Sequence, residues 1–130
     1  MRENTPPVGS VIWRDLTVND AEAIRDFYAK VVGWKPEAVA MGDYHDFNMV
    51  PPDAREPEAG ICHARGQNAD MPPQWLIYIV VEDIDESVDR CVKLGGTIVA
   101  PPRGMMGGRF CVIRDPAGAV CGLYQPPSAA

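Results

Sequence analysis

The chain has little positive charge to spare. Its 12 Lys and Arg stand against 18 Asp and Glu, giving a net charge of −6 and a pI near 4.8. Nucleic acids and anionic membranes are gripped by a basic surface, so both are expected to be excluded as partners. Long apolar runs are missing too: nothing approaches the ~20 residues that cross a bilayer. The opening residues MRENTPPVGS lack an apolar core, so no secretory signal is read there and the expected compartment is the cytoplasm. The four cysteines, Cys62, Cys91, Cys111 and Cys121, form no CxxC pair. Buried reduced thiols acting as small hydrophobes are expected, rather than a zinc cluster. There are only two histidines, His45 and His63, and no GxSxG elbow or Ser-His-Asp order. The glycines around Met105-Met106 lack the Lys-Ser/Thr that a phosphate loop requires.

What is present is an ordinary globular composition, with 46% hydrophobic and 23% charged residues. A chain of 130 residues is one domain by length and can bury roughly two-thirds of its unfolded surface. Its organising stretch is WLIYIVVEDIDESVDRCVKLGG, Trp75 to Gly96, which reads as a strand, a capped helix and a glycine stop. The same plan occurs earlier, in IWRDLTVNDAEAIRDFYAKVVG from Ile12 to Gly33. Aligning Asp83 with Asp20 gives an offset of 63, which places Gly96 on Gly33 and Val81 on Val18. A repeat of about half the chain means two similar units.

In order, Val11 to Val18 reads as a strand. Asn19 or Asp20 caps a helix, with Glu22 suited to a capping box after Asn19. Ile24, Phe27, Tyr28 and Val31 recur at helical spacing, so the Phe27-Tyr28 pair is expected in the core. Gly33 ends the helix. Trp34 to Val39, Tyr44 to Val50 and Gly60 to Ala64 are short strands, and the polar run 65–74 links the units. The second unit repeats the order: a strand from Leu76, a helix capped by Asp83 with Glu86 after it, and a stop at Gly95-Gly96. Thr97 to Ala100 is a strand and Pro101 to Gly108 is expected to be a flexible loop. A hairpin follows around Asp115-Pro116-Ala117-Gly118. Met1 to Pro7 reads as a loose arm, and the residues after Pro127 as a short tail.

The fold class is therefore α+β, two tandem βαβββ modules at about 11–64 and 75–125 forming one domain. One such unit leaves a single-faced sheet, so the two are expected to pair as a curved mixed sheet around a cleft. Clefts are where ligands sit. Alternation along the strands places Trp13, Asp15 and Thr17 opposite Leu16 and Val18. By the same count Leu76, Tyr78, Val80, Val120, Gly122 and Tyr124 face the cleft.

The duplicated units, the Asp20, Phe27-Tyr28, Gly33-Trp34 series and the Gly108-Arg109-Phe110…Asp115-Pro116…Gly118 hairpin together resemble the vicinal oxygen chelate superfamily. That group comprises glyoxalase I, the bleomycin-resistance proteins and the extradiol dioxygenases. The resemblance implies a small-molecule site and, in metal-using members, His, Gln or Glu ligands on the first and last strands of each unit. Carried over, those positions are Trp13, Leu76, Gly122 and a residue near Gly60. None offers imidazole or carboxylate, so no metal and no other cofactor is expected.

Three readings follow. The first is metal-independent binding of a small, largely apolar or aromatic molecule by Trp13, Asp15, Leu76, Tyr78, Gly122 and Tyr124, with Met105 and Met106 as an adaptable lid or an ordinary loop. Asp15 and Trp13 together would suit a cationic ligand. The second is a metal-free lyase, isomerase or cyclase, or another enzyme type of the superfamily such as a dioxygenase. In the metal-free case Asp15, Tyr78 or His63 would act as acid or base, and no catalytic residue is assigned beyond that. The third is an interaction module whose cleft is filled. A symmetric homodimer is the expected assembly.

Overall fold

The computed structural model describes residues 5–128; the expected loose arm lies partly, and the tail mostly, outside them. The elements run β1 (Val11–Val18), α1 (Ala21–Val32), β2 (Lys35–Ala40), β3 (His45–Val50) and β4 (Ala59–His63). They continue as β5 (Trp75–Val80), α2 (Ile84–Lys93), β6 (Thr97–Met105), β7 (Gly108–Arg114) and β8 (Val120–Gln125). The α+β class and the repeated βαβββ order are as the sequence predicts. The chain forms two compact units, Trp13–Trp75 and the remainder, here the N-terminal and C-terminal units.

In the N-terminal unit the strands lie in the order β2-β3-β4-β1, with β4 parallel to β1 and the other pairs antiparallel. In the C-terminal unit the order is β5-β8-β7-β6, and β5 is parallel to β8. The helix covers one sheet face in each. Ala21 seals against Phe47, Met49 and Ile61 in the first unit, and Ile84 against Cys111 and Leu123 in the second. Ala21 and Ile84 are 63 residues apart, so the repeat positions the same helical contact twice.

Helix starts and stops follow local chemistry. The Asp20 carboxylate accepts the Ala23 N–H at 3.2 Å, and Asp83 accepts that of Glu86 at 3.2 Å. Asp20 is thus the cap, and no Asn19–Glu22 box forms because Glu22 is engaged elsewhere. Gly33, at φ 89°, donates its N–H to the Ala29 carbonyl, a left-handed stop that suits glycine.

Two expectations are corrected. The apolar stripe of α1 is wider than the surface that meets the sheet. Ile24 and Tyr28 pack on the core, while Phe27 is 54% and Val31 65% exposed. The residues from Pro101 are not a flexible loop either. β6 runs through Pro101-Pro102 as an outermost strand, where the missing N–H groups break no inner ladder. The register slips between Ala100 and Arg103, where the prolines lie. Met106 (φ 50°) and Gly107 (φ 80°) then make a tight two-residue turn, with Met105 facing Gly108. The methionines sit at the tip of that hairpin.

Candidate functional site

The candidate residues lie on the sheet faces opposite the helices. In the N-terminal unit Leu16 opposes the core residue Ile61, and Asp15 opposes Gly60. Trp13, Asp15, Gly60 and Cys62 therefore share the face away from α1. Gly60 is a socket for its neighbours: a methyl group there would sit 3.3 Å from the Trp13 ring and 3.3 Å from Asp15 Cβ. Trp13 and Asp15 are half-buried and Thr17 is buried. The Cys62 thiol is pushed far up, first by burial and then by the Asp15 and Asp46 charges. It stays protonated and is no nucleophile.

The C-terminal unit builds a corresponding face differently. Tyr78 opposes Gly122 and Val80 opposes Tyr124. A methyl at Gly122 would overlap the Tyr78 ring, so only glycine admits that ring. Tyr78 also packs on Phe110, with centroids 6.1 Å apart, and the Arg103 guanidinium lies 4.7 Å over the Phe110 ring. The Tyr124 hydroxyl donates to the Met106 carbonyl at 3.2 Å, holding the hairpin tip. Leu76, Tyr78 and Tyr124 are all buried, at 1%, 3% and 4% exposure.

The ladders also assign the position that the repeat left approximate. Asp15 and Tyr78 are 63 residues apart, and their partners are Gly60 and Gly122. Gly60 is therefore the counterpart of Gly122, at an offset of 62 that simple alignment at 63 misses. Trp13, Gly60, Leu76 and Gly122 supply no metal-donor side chain. Among the described residues no group of three or more His, Cys, Asp or Glu is placed to hold an ion. A metal centre does not fit this donor set.

His63 stands apart from these residues. It opposes Val18 on the helix side of β4, with Nε2 3.1 Å from Glu22 Oε1 and Nδ1 3.3 Å from Asp46 Oδ1. As an acid or base in its own right, the role considered for it, His63 would act on the helix side, apart from Asp15 and Tyr78. Sequence reasoning also missed a groove on the helix side of the N-terminal unit. About 310 Å³ in volume, it is lined by Leu16, Val18, Ile24, Phe27, Tyr28, Pro73, Gln74 and Trp75. The Trp75 indole N–H donates to the Tyr28 hydroxyl there at 3.1 Å, within a cluster that includes Trp34.

Comparison with known proteins agrees with this architecture. The sequence profile of the Glyoxalase/Bleomycin resistance protein/Dioxygenase superfamily matches residues 10–121. CFP32 of Mycobacterium tuberculosis is 33% identical over 119 residues, covering 90% of this chain and 46% of that protein. Anthracycline biosynthesis protein DnrV of Streptomyces peucetius is 32% identical over 117 residues, covering 90% and 42%. The chain thus spans about half the length of the curated relatives it matches. Among solved structures, methylmalonyl-CoA epimerase from Mycobacterium tuberculosis superposes with a TM-score of 0.55 at 16% identity, over 98% of this chain and 95% of that one. A superfamily member from Vibrio splendidus 12B01 gives 0.58 at 11% identity, over 89% and 99%. These two likenesses show the fold.

Proposed function

The chain belongs to the Glyoxalase/Bleomycin resistance protein/Dioxygenase superfamily, and from that premise we propose that it binds a small, largely apolar or aromatic molecule without a metal. The observation that carries this reading is the pair of covered glycines. Gly60 and Gly122 stand where the resemblance puts last-strand metal ligands, and each is overlaid by an aromatic ring from the first strand of its own unit. Trp13 and Asp15 supply a half-buried indole and a carboxylate side by side. That combination suits an aromatic or cationic ligand. The relative named for anthracycline biosynthesis is consistent with a ligand of aromatic chemistry.

The test has two arms. Elemental analysis of the purified protein is expected to find no stoichiometric Zn, Ni, Fe or Mn; one metal per chain, retained through mild chelation, overturns the metal-free part. Thermal-shift screening with planar aromatic and cationic compounds is expected to yield binders whose shift disappears in Trp13→Ala. Binding that survives the substitution removes Trp13 from the site. An acid–base enzyme is the second reading, favoured by Asp15 lying on this face beside Trp13. Turnover of a bound compound, lost in Asp15→Asn, would establish it.

For assembly we propose a symmetric homodimer. One edge strand of each unit, β2 or β6, carries proline, so pairing along those edges is a poor route. Exposed Phe27, Val31 and Val32 of α1 offer apolar area for side-chain contact instead. A sedimenting species of only 14.2 kDa at micromolar concentration would refute it.

A further inference from the structure

On the helix side of the N-terminal unit a group of titratable side chains joins three elements. Glu22 stands in the first turn of α1, Asp46 near the start of β3, and His63 at the end of β4. Each imidazole nitrogen faces a carboxylate oxygen, Nε2 that of Glu22 at 3.1 Å and Nδ1 that of Asp46 at 3.3 Å. The same Asp46 oxygen accepts the His63 backbone N–H at 2.8 Å. Ionised carboxylates only accept, and a neutral imidazole has a single N–H to give. The imidazolium, with two, satisfies both partners at once.

The surroundings bear on that charge from every side. Burial of His63 opposes it, yet the hydrogen bonds and charges of Glu22 and Asp46 prevail and raise its pKa. The bond to His63 in turn lowers that of Glu22. From α1, Arg25 is bonded to Asp26 and lies 4.6 Å over the Phe47 ring. Beyond β4, Arg65 lies 4.0 Å over the Tyr44 ring and reaches Asp43. Tyr44 meets the imidazole edge-on at 5.4 Å. Asp15 of β1 belongs to the opposite sheet face. Cys62 starts from that face too, but its thiol hydrogen-bonds Asp46 and, pushed far up by burial and by the Asp15 and Asp46 charges, stays protonated. Of these charged groups, only Glu22 and Asp46 are hydrogen-bonded to the ring.

We propose that Glu22, His63 and Asp46 form a proton-operated clamp that ties the first turn of α1 to β3 and β4. It is closed while His63 is protonated and lets go of α1 when His63 is neutral. The release falls on Glu22 rather than Asp46. Asp46 is buried and keeps both the His63 backbone N–H and one imidazole N–H, whereas Glu22 is exposed and can turn to water. A bare Nε2 lone pair facing its carboxylate would drive it there.

The direction with pH follows. A histidine whose folded pKa is raised stabilises fully below the ordinary imidazole value of about 6.5, and the contribution is lost as pH rises through the folded value. Glu22, lowered, adds stability that is lost as pH falls through its own folded value. The clamp is therefore closed below about pH 6.5 and opens as pH rises through the raised value of His63. Its opening frees the helical turn that carries Ile24, one wall of the groove described above.

Amide hydrogen exchange on the full chain, corrected for the intrinsic effect of pH, tests this. Protection of the α1 amides from Ile24 to Asp26 is expected to fall about tenfold between pH 6 and pH 9, with the α2 amides unchanged as internal reference. In Glu22→Gln, an exposed substitution that leaves the core intact, the fall should vanish. His45→Gln should keep it. Equal pH dependence in the parent and Glu22→Gln overturns the clamp. So does a nitrogen NMR spectrum showing only one ring N–H on His63 at pH 6.

Discussion

The two units share an element order, a helix cap and a helix-to-sheet contact, yet they finish the opposite sheet face in different ways. In the C-terminal unit Tyr78 covers the glycine directly across the ladder from it, and Leu76, Tyr78 and Tyr124 are all buried. In the N-terminal unit the covering ring is Trp13, two residues before the strand position paired with Gly60. The paired position itself holds Asp15, so that face retains a half-buried indole next to a carboxylate. The repeated scaffold is common to both units, whereas one face is closed by aromatic core and the other presents an indole and a carboxylate. The scaffold side is shared because both helices bury the same first-turn residue, Ala21 or Ile84. The opposite side escapes that constraint.

The comparison is broken most directly by truncating the two rings. Tyr78→Ala should cost about 3–5 kcal/mol in urea unfolding, as for a fully buried aromatic. Trp13→Ala, half-buried, should cost about 1–2 kcal/mol. Equal losses would mean that Trp13 is core and that the N-terminal face is as closed as the other. The sockets give the next largest effect. Gly122→Ala forces its methyl into the Tyr78 ring and should cost about 1–3 kcal/mol. Gly60→Ala leaves 3.3 Å to Trp13 and Asp15 and should cost about 1 kcal/mol or less. A reversed order would show that Tyr78 has room to move and Trp13 has none. The caps sharpen the shared half of the comparison. Asp20→Ala and Asp83→Ala should each cost about 1 kcal/mol, and by the same amount, since each carboxylate makes the same 3.2 Å bond. A clear inequality between them would show that the two helices depend differently on their first turns.

Much of this was legible in the sequence. The repeat, both helix starts and the Gly33 stop could be read because each rests on residues three or four apart or on side-chain period. The alternation that set Trp13 and Asp15 opposite Leu16 and Val18 could be read for the same reason. The site was legible only in part. Trp13 and Asp15 were named, but the glycine socket that seats them was known only as a position near Gly60. A glycine across from an aromatic strand residue was the available signal, and it becomes specific only once register is known.

The amino-acid sequence by itself determined the α+β class, the two βαβββ units, the caps and the absence of metal donors at the family's ligand positions. These depend on local hydrogen bonds, side-chain period and residue type. Tertiary structure alone decided the rest. It paired Gly60 with Asp15, carried β6 through two prolines as an outer strand, and exposed Phe27 and Val31 at the margin of the core. It also gathered Asp46 and Glu22 around His63, from which they lie 17 and 41 residues away in the chain. The physical reason is that strand register and cross-element contact are selected by burial summed over the whole unit, a quantity that no short stretch of chain contains.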